Sequence, residues 1–139
     1  MPRFLDLQTS MNSSLFGAPN TPMSTDETNP DLFGGIGLET QNVPNPVVDL
    51  SGTIGVSGAA GTTFTIRIVR NSPTIAGTVI YTAVHSTTGN PVDLVSFSAQ
   101  DLGAPAGLLT TYAAFVNTVT GSDITRVGPE VFYGIAAED

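Results

Sequence analysis

The run Thr62–Arg70, Thr-Thr-Phe-Thr-Ile-Arg-Ile-Val-Arg, constrains this chain more than any other stretch. Phe64, Ile66 and Ile68 alternate with Thr63, Thr65 and Arg67, so one face is apolar and the other polar. A helix would scatter these residues around its axis, whereas a strand places every second side chain on one face. Gly61 opens the run, and Asn71-Ser72-Pro73 closes it with turn residues and a proline that has no N–H to give to a ladder. β-branched and aromatic side chains suit the pleated surface that results.

The same grammar repeats from Val47 onward. Val48, Leu50, Ile54 and Val56 share a parity opposite Asp49, Ser51 and Thr53, which predicts a strand over 47–56. Ser57–Gly61 is a small-residue loop, and a hairpin to the 62–70 strand is the simplest connection. Further strands are expected over 78–84, 92–100 and 109–117, the last apolar on both parities, as a central strand covered on both faces would be. Pro129 is expected to split the final element into 124–128 and a closing strand around Val131–Ile135. Arg67 and Arg70, three apart, fall on opposite faces, so one of them is placed to pair with an acid on a neighbouring strand or subunit. About six to eight strands separated by turns every 8–12 residues or so predict an all-β fold, a jelly-roll-like β-sandwich.

Residues 1–46 read differently. From Asn12 to Pro46 the chain is rich in Asn, Pro, Thr, Gly and Ser, and its prolines favour extended backbone. The division expected is an extended N-terminal connector arm, 1–46, and a jelly-roll domain, 47–139. Within the arm Leu15-Phe16-Gly17-Ala18 is echoed by Leu32-Phe33-Gly34-Gly35, with Phe4-Leu5 as a looser bead. A solvated linker has no use for phenylalanine, so these beads dock on their own domain or on another molecule. Fixing a backbone costs roughly 1–2 kcal/mol per residue, and each docked bead returns on the order of 1.5–3 kcal/mol. An ordered arm therefore needs its main chain paired as well. The interface residues expected on this reasoning are Phe4, Leu5, Leu15, Phe16, Leu32 and Phe33, extended by Ile36 and Leu38, docking on neighbouring copies.

Composition excludes several classes. Twelve acids against four arginines, with no lysine, give a net charge of −8, which repels nucleic acid and anionic membranes. There is no cysteine, hence no thiolate chemistry. No run approaches the roughly 20 apolar residues of a membrane-spanning helix, and the first residues do not form a Sec-type signal. His85 is the only histidine and has no partner for a zinc site. No Gly-x-Ser-x-Gly elbow is present. Asp49-Leu50-Ser51-Gly52 lacks both the spacing and the second carboxylate of an aspartic protease. Gly58–Thr62 lacks the lysine of a phosphate-binding loop, and the scattered acids match no calcium-loop spacing. No enzyme and no cofactor are expected.

From Val48 to Gly134 the order of features resembles exosporium and fibre-type endospore appendage subunits of Bacillus-type spore formers. The pieces that carry the resemblance are Val48-Asp49-Leu50-Ser51-Gly52-Thr53-Ile54-Gly55-Val56, Phe64–Arg70, Ile80-Tyr81-Thr82, Val95–Asp101, the strand containing Tyr112, and Val127-Gly128-Pro129 leading to Phe132-Tyr133-Gly134. The resemblance implies a jelly-roll subunit, made in the mother-cell cytoplasm, that assembles into a fibre on the spore surface and meets other copies and an anchor protein there. Lacking cysteine, the chain matches the classes without disulfide crosslinks. A phage capsid decoration or head-fibre protein is the alternative; a carbohydrate-binding module, which usually presents exposed aromatics, ranks below both.

Overall fold

The computed structural model describes residues Arg3–Asp139. It contains nine strands: β1 (Arg3–Ser13), β2 (Thr21–Pro22), β3 (Asp31–Glu39), β4 (Pro46–Gly58), β5 (Thr63–Arg70), β6 (Thr78–Ser86), β7 (Val92–Asp101), β8 (Leu109–Thr118) and β9 (Ile124–Glu138). One sheet has the order β1-β9-β4-β7, with β2 also on β9; the other has the order β3-β8-β5-β6. Among the described residues only β5 and β6 are consecutive long strands paired with each other. From β3 to β9 every other connection crosses from one sheet to the other, which makes this a jelly-roll β-sandwich.

The inner faces meet where the alternating residues place them. Leu50, Ile54 and Val56 of β4 lie opposite Phe64, Ile66 and Ile68 of β5, all within one buried cluster. Phe97 centres the aromatic part of it, edge-on to Phe33 with centroids 5.8 Å apart and stacked with Phe132 at 6.3 Å. Gly52, paired with both Phe97 and Phe132, leaves space for that stack, because a Cβ there would overlap the Phe97 ring. As its two-sided apolar pattern predicts, β8 is covered on both faces. Tyr112, Ala114 and Val116 join the main core, while Ala113 and Phe115 pack with Val69 and Ile75 on the outside.

Three expectations change. Residues 3–39 are not a connector but part of the sandwich: β1 runs antiparallel to β9 and β3 to β8, both within the chain. Leu5, Phe33, Ile36 and Leu38 are buried in the chain's own core. The entropy argument in the sequence, that such a tract needs a paired main chain, is met by these two ladders rather than by a neighbour. (Met1 and Pro2 of the expected arm lie outside the described residues.) Second, β4 and β5 do not form a hairpin; they sit in opposite sheets, since alternation specifies which face is buried but not which strand lies alongside. Third, β9 continues through Pro129. The β4–β9 register shifts between Ile54 and Val56, so the ladder steps around the residue that has no N–H.

The side of the sandwich where β1 and β3 approach is closed by side chains. The Glu39 amide donates to Asp6 Oδ2 at 2.8 Å and the Gly35 amide to Ser10 Oγ at 3.2 Å. The Glu39 amide, with the Gln8 side chain and the Leu7 amide in support, holds the Asp6 carboxyl below its ordinary range.

Candidate interaction surface

Two polar clusters hold the framework rigid. At the end of β7, Asp101 accepts from Arg70 Nη1 of the opposite sheet at 2.7–2.8 Å and from the Tyr112 hydroxyl at 2.8 Å. Burial, then Asp101, pushes the Tyr112 phenol well above its ordinary pKa. Arg70 rather than Arg67 thus carries the ion pair; Arg67, on the outer face, donates to Asn117 Oδ1 and the Glu27 carbonyl. In the second cluster the fully buried Glu130 accepts from Arg126 Nε and Nη2 at 2.8 and 2.6 Å and from Asn12 Nδ2 at 2.7 Å. Each carboxylate oxygen of Asp101 and Glu130 accepts at least one hydrogen bond, and those from Arg70, Tyr112 and Asn12 link different strands.

His85, the one residue that could suggest acid–base chemistry, stacks on Phe64 with centroids 5.6 Å apart. Among the described residues no group of three or more His, Asp or Glu side chains could hold a metal ion.

The surface with a definite character is the outer face of the β1-β9-β4-β7 sheet. A Cβ at Gly134 would meet Ile36, Leu50 and Leu38, so this position points inward and its neighbours Tyr133 and Ile135 point out. Reading across the sheet by register gives four outward rows: Phe4, Ala137 and Val47; Leu7, Ile135, Asp49 and Gln100; Thr9, Tyr133, Ser51 and Ser98; Met11, Val131, Thr53 and Ser96. The β1–β9 half is largely apolar, and the β4–β7 half is largely small hydroxyls. Asp49 is the one carboxylate in these rows, on a chain of net charge −8. At the Phe4 end a depression of about 300 Å³ is lined by Val47, Leu102, Ile135 and Ala137 together with Gln100 and the acids Asp49 and Asp139.

The interface residues expected from the sequence separate into two groups. Leu5, Phe33, Ile36 and Leu38 are core. Phe4, Leu15, Phe16 and Leu32 remain exposed, by 58%, 69%, 69% and 53%, and only Phe4 of these lies in the outward rows just described. The sequence reading missed Leu7, Met11, Tyr133 and Ile135. Leu5 and Leu7 share a parity yet point opposite ways, because the β1–β9 register shifts between Phe4 and Asp6. A bulge of this kind leaves no compositional trace. For Tyr133 and Ile135 a signal did exist: Val131–Ile135 is apolar on both parities, as a strand with two apolar faces would be.

No protein-family model matches the chain and no curated protein matches it. Solved structures do. Dimeric latent PorU from Porphyromonas gingivalis superposes with a TM-score of 0.57 at 10% identity, covering 97% of this chain and 13% of PorU. The Eiger TNF of S. frugiperda superposes with a TM-score of 0.50 at 12% identity, covering 99% of this chain and 94% of that one. The chain thus spans about an eighth of PorU and nearly all of the TNF structure. At these identities the likeness is one of fold, and it agrees with the jelly-roll sandwich.

Proposed function

We propose that this protein is a non-enzymatic structural subunit that self-associates through the outer face of the β1-β9-β4-β7 sheet and builds a fibre on the bacterial spore surface. The observation that carries self-association is the near absence of charge from that face. Copies of a chain with a net charge of −8 repel one another wherever their acids are brought close. The four outward rows hold one carboxylate, Asp49, beside exposed Phe4, Leu7, Met11, Tyr133 and Ile135. Exposed apolar area of this extent marks an interaction site.

The size is adequate. Four strands about 4.8 Å apart and a run of about 25 Å give roughly 450–500 Å² of sheet per copy before side-chain relief is counted. Two such faces approach the ~1,000 Å² of a specific interface. The spore-surface setting rests on the resemblance carried by the 48–134 segment, and the fibre on that resemblance together with an exposed face suited to copies of the same chain. The route is no longer an arm, since residues 3–39 complete their own sandwich.

Sedimentation and negative-stain microscopy of the full chain test the proposal. Concentration-dependent association is expected, and Leu7→Lys with Tyr133→Lys should abolish it while leaving the unfolding transition in place. A wild-type chain that stays monomeric at every concentration would sink the reading and turn attention to a decoration protein that waits for a capsid.

A further inference from the structure

We propose that the groove at the Phe4 end of the β1-β9-β4-β7 sheet holds an extended basic–apolar–basic segment of a different protein. The proposal is independent of the self-association reading, because a second copy of this chain has no occupant of that chemistry to offer.

The groove is built by strand register. Its first row holds Asp49, beside Ile135 and Gln100 on the neighbouring strands. Its second row pairs Val47 with Ala137, and Leu102, 72% exposed, stands beside them. Asp139 ends it. The Asp139 amide donates to the Asn45 carbonyl at 3.3 Å, which carries the β4–β9 pairing one step past Pro46 and Glu138. Ile135, Ala137 and Asp139 share a parity, so the outward order along the groove is acid, apolar, acid. Asp139 is four residues beyond the position opposite Asp49, a separation of about 13–14 Å at about 3.4 Å per residue. Two carboxylates that far apart cannot share one cation, so each calls for a positive group of its own.

Charge decides what can fill the groove. The four ion pairs among the described residues use Glu138, Asp101, Asp31 and Glu130, which leaves Asp49 and Asp139 without a cation there. The chain has no lysine, and all four arginines are engaged. Arg3 is held by Glu138, Arg70 by Asp101, Arg126 by Glu130, and Arg67 by Asn117 Oδ1 and the Glu27 carbonyl. A second copy therefore brings no cation to this site, and its net charge of −8 opposes its approach to the two acids. A purely apolar segment would bring no partner for either carboxylate. The complement is a lysine or arginine at each end with an apolar residue between, because such side chains lay their stems on apolar surface and keep the charge outermost. In an extended peptide the residues at i, i+2 and i+4 share a face, and i and i+4 lie about 13–14 Å apart. A segment of the form basic, any, apolar, any, basic thus matches the three rows in both order and spacing.

The test uses the full-length protein, at a dilution where sedimentation velocity shows single copies, and the peptide acetyl-Lys-Ala-Leu-Ala-Lys-amide. Ligand-observed saturation-transfer NMR at low salt should show saturable binding, with transfer to the leucine methyls and the lysine methylenes. The isomer acetyl-Lys-Lys-Ala-Ala-Leu-amide, of equal composition and charge, should bind more weakly. Asp49→Asn/Asp139→Asn should weaken binding by about fivefold, within the range that two exposed ion pairs supply. Glu27→Gln/Asp123→Asn removes the same charge from elsewhere on the surface and should leave binding unchanged. All four acids are exposed, so both double variants should unfold like the wild type. Absence of saturable binding would overturn the proposal. So would equal weakening in the two double variants, which would mean general attraction to an acidic protein, or an isomer that binds as tightly, which would remove the spacing argument.

Discussion

Asp101 is where one substitution should cost most for its size. Its carboxylate, 5% exposed, joins the sheets by accepting from Arg70 Nη1, itself on a side chain 16% exposed, and from the Tyr112 hydroxyl. Oδ1 also accepts from the Gly103 amide at 3.1 Å. Asp101→Ala removes the charge and leaves a buried guanidinium and a buried phenol without partners. Breaking a buried pair from one side costs about 3–5 kcal/mol, and a domain of this kind has only about 5–15 kcal/mol to lose. With a urea slope of about 2 kcal/mol per molar, the middle of the usual range, the midpoint should fall by roughly 1.5–2.5 M. Converting the whole cluster to apolar residues, Arg70→Met/Asp101→Leu/Tyr112→Phe, removes the orphaned groups together. That triple variant should lie within about 1 kcal/mol of wild type. Equilibrium urea unfolding followed by tyrosine-independent far-ultraviolet circular dichroism reads both. An Asp101→Ala loss under about 1 kcal/mol, or a triple variant as unstable as the single one, would refute the account of this cluster as a buried, mutually dependent link.

Three further outcomes follow from the same geometry. Tyr112 is held neutral above its ordinary range by burial and by Asp101. The unfolded chain therefore releases this proton first: stability is full below about pH 10 and declines above it by about 1.4 kcal/mol per pH unit. Tyr112→Phe should remove that part of the slope in urea titrations between neutral and alkaline pH, and an unchanged slope would contradict the assignment. Gly134→Ala puts a Cβ 2.7 Å from Ile36 Cδ1 and 2.8 Å from Leu50 Cδ2, so thermal unfolding should show a loss of about 1–3 kcal/mol. Deleting residues 1–46 removes β1, β2 and β3, and with them Phe33, Ile36 and Leu38 from the core. The product should lack the cooperative unfolding transition of the full chain, whereas a stable 47–139 fragment would restore the arm reading.

The alternation of Phe64, Ile66 and Ile68, and of Leu50, Ile54 and Val56, determined from sequence alone that this is a sandwich with those side chains inside, because a period of two leaves each strand no other face to bury. The doubly apolar β8 pattern likewise announced a strand covered on both sides, and the spacing of Arg67 and Arg70 placed them on opposite faces. Sequence could not choose partners. The β4 pattern fits a hairpin with β5 or a place across the sandwich from it equally well, and tertiary packing selected the second. Nor could the Gly- and Pro-rich composition of residues 12–46 reveal that β3 completes a sheet, since its Gly34 is set by the space beside Phe132. The outward face of Leu7, Met11, Tyr133 and Ile135 depends on one bulge near Leu5 and on pairing β1 with a strand more than a hundred residues away. Local sequence carries the parity of a strand; the register that turns parity into a surface exists only once the chain has closed on itself.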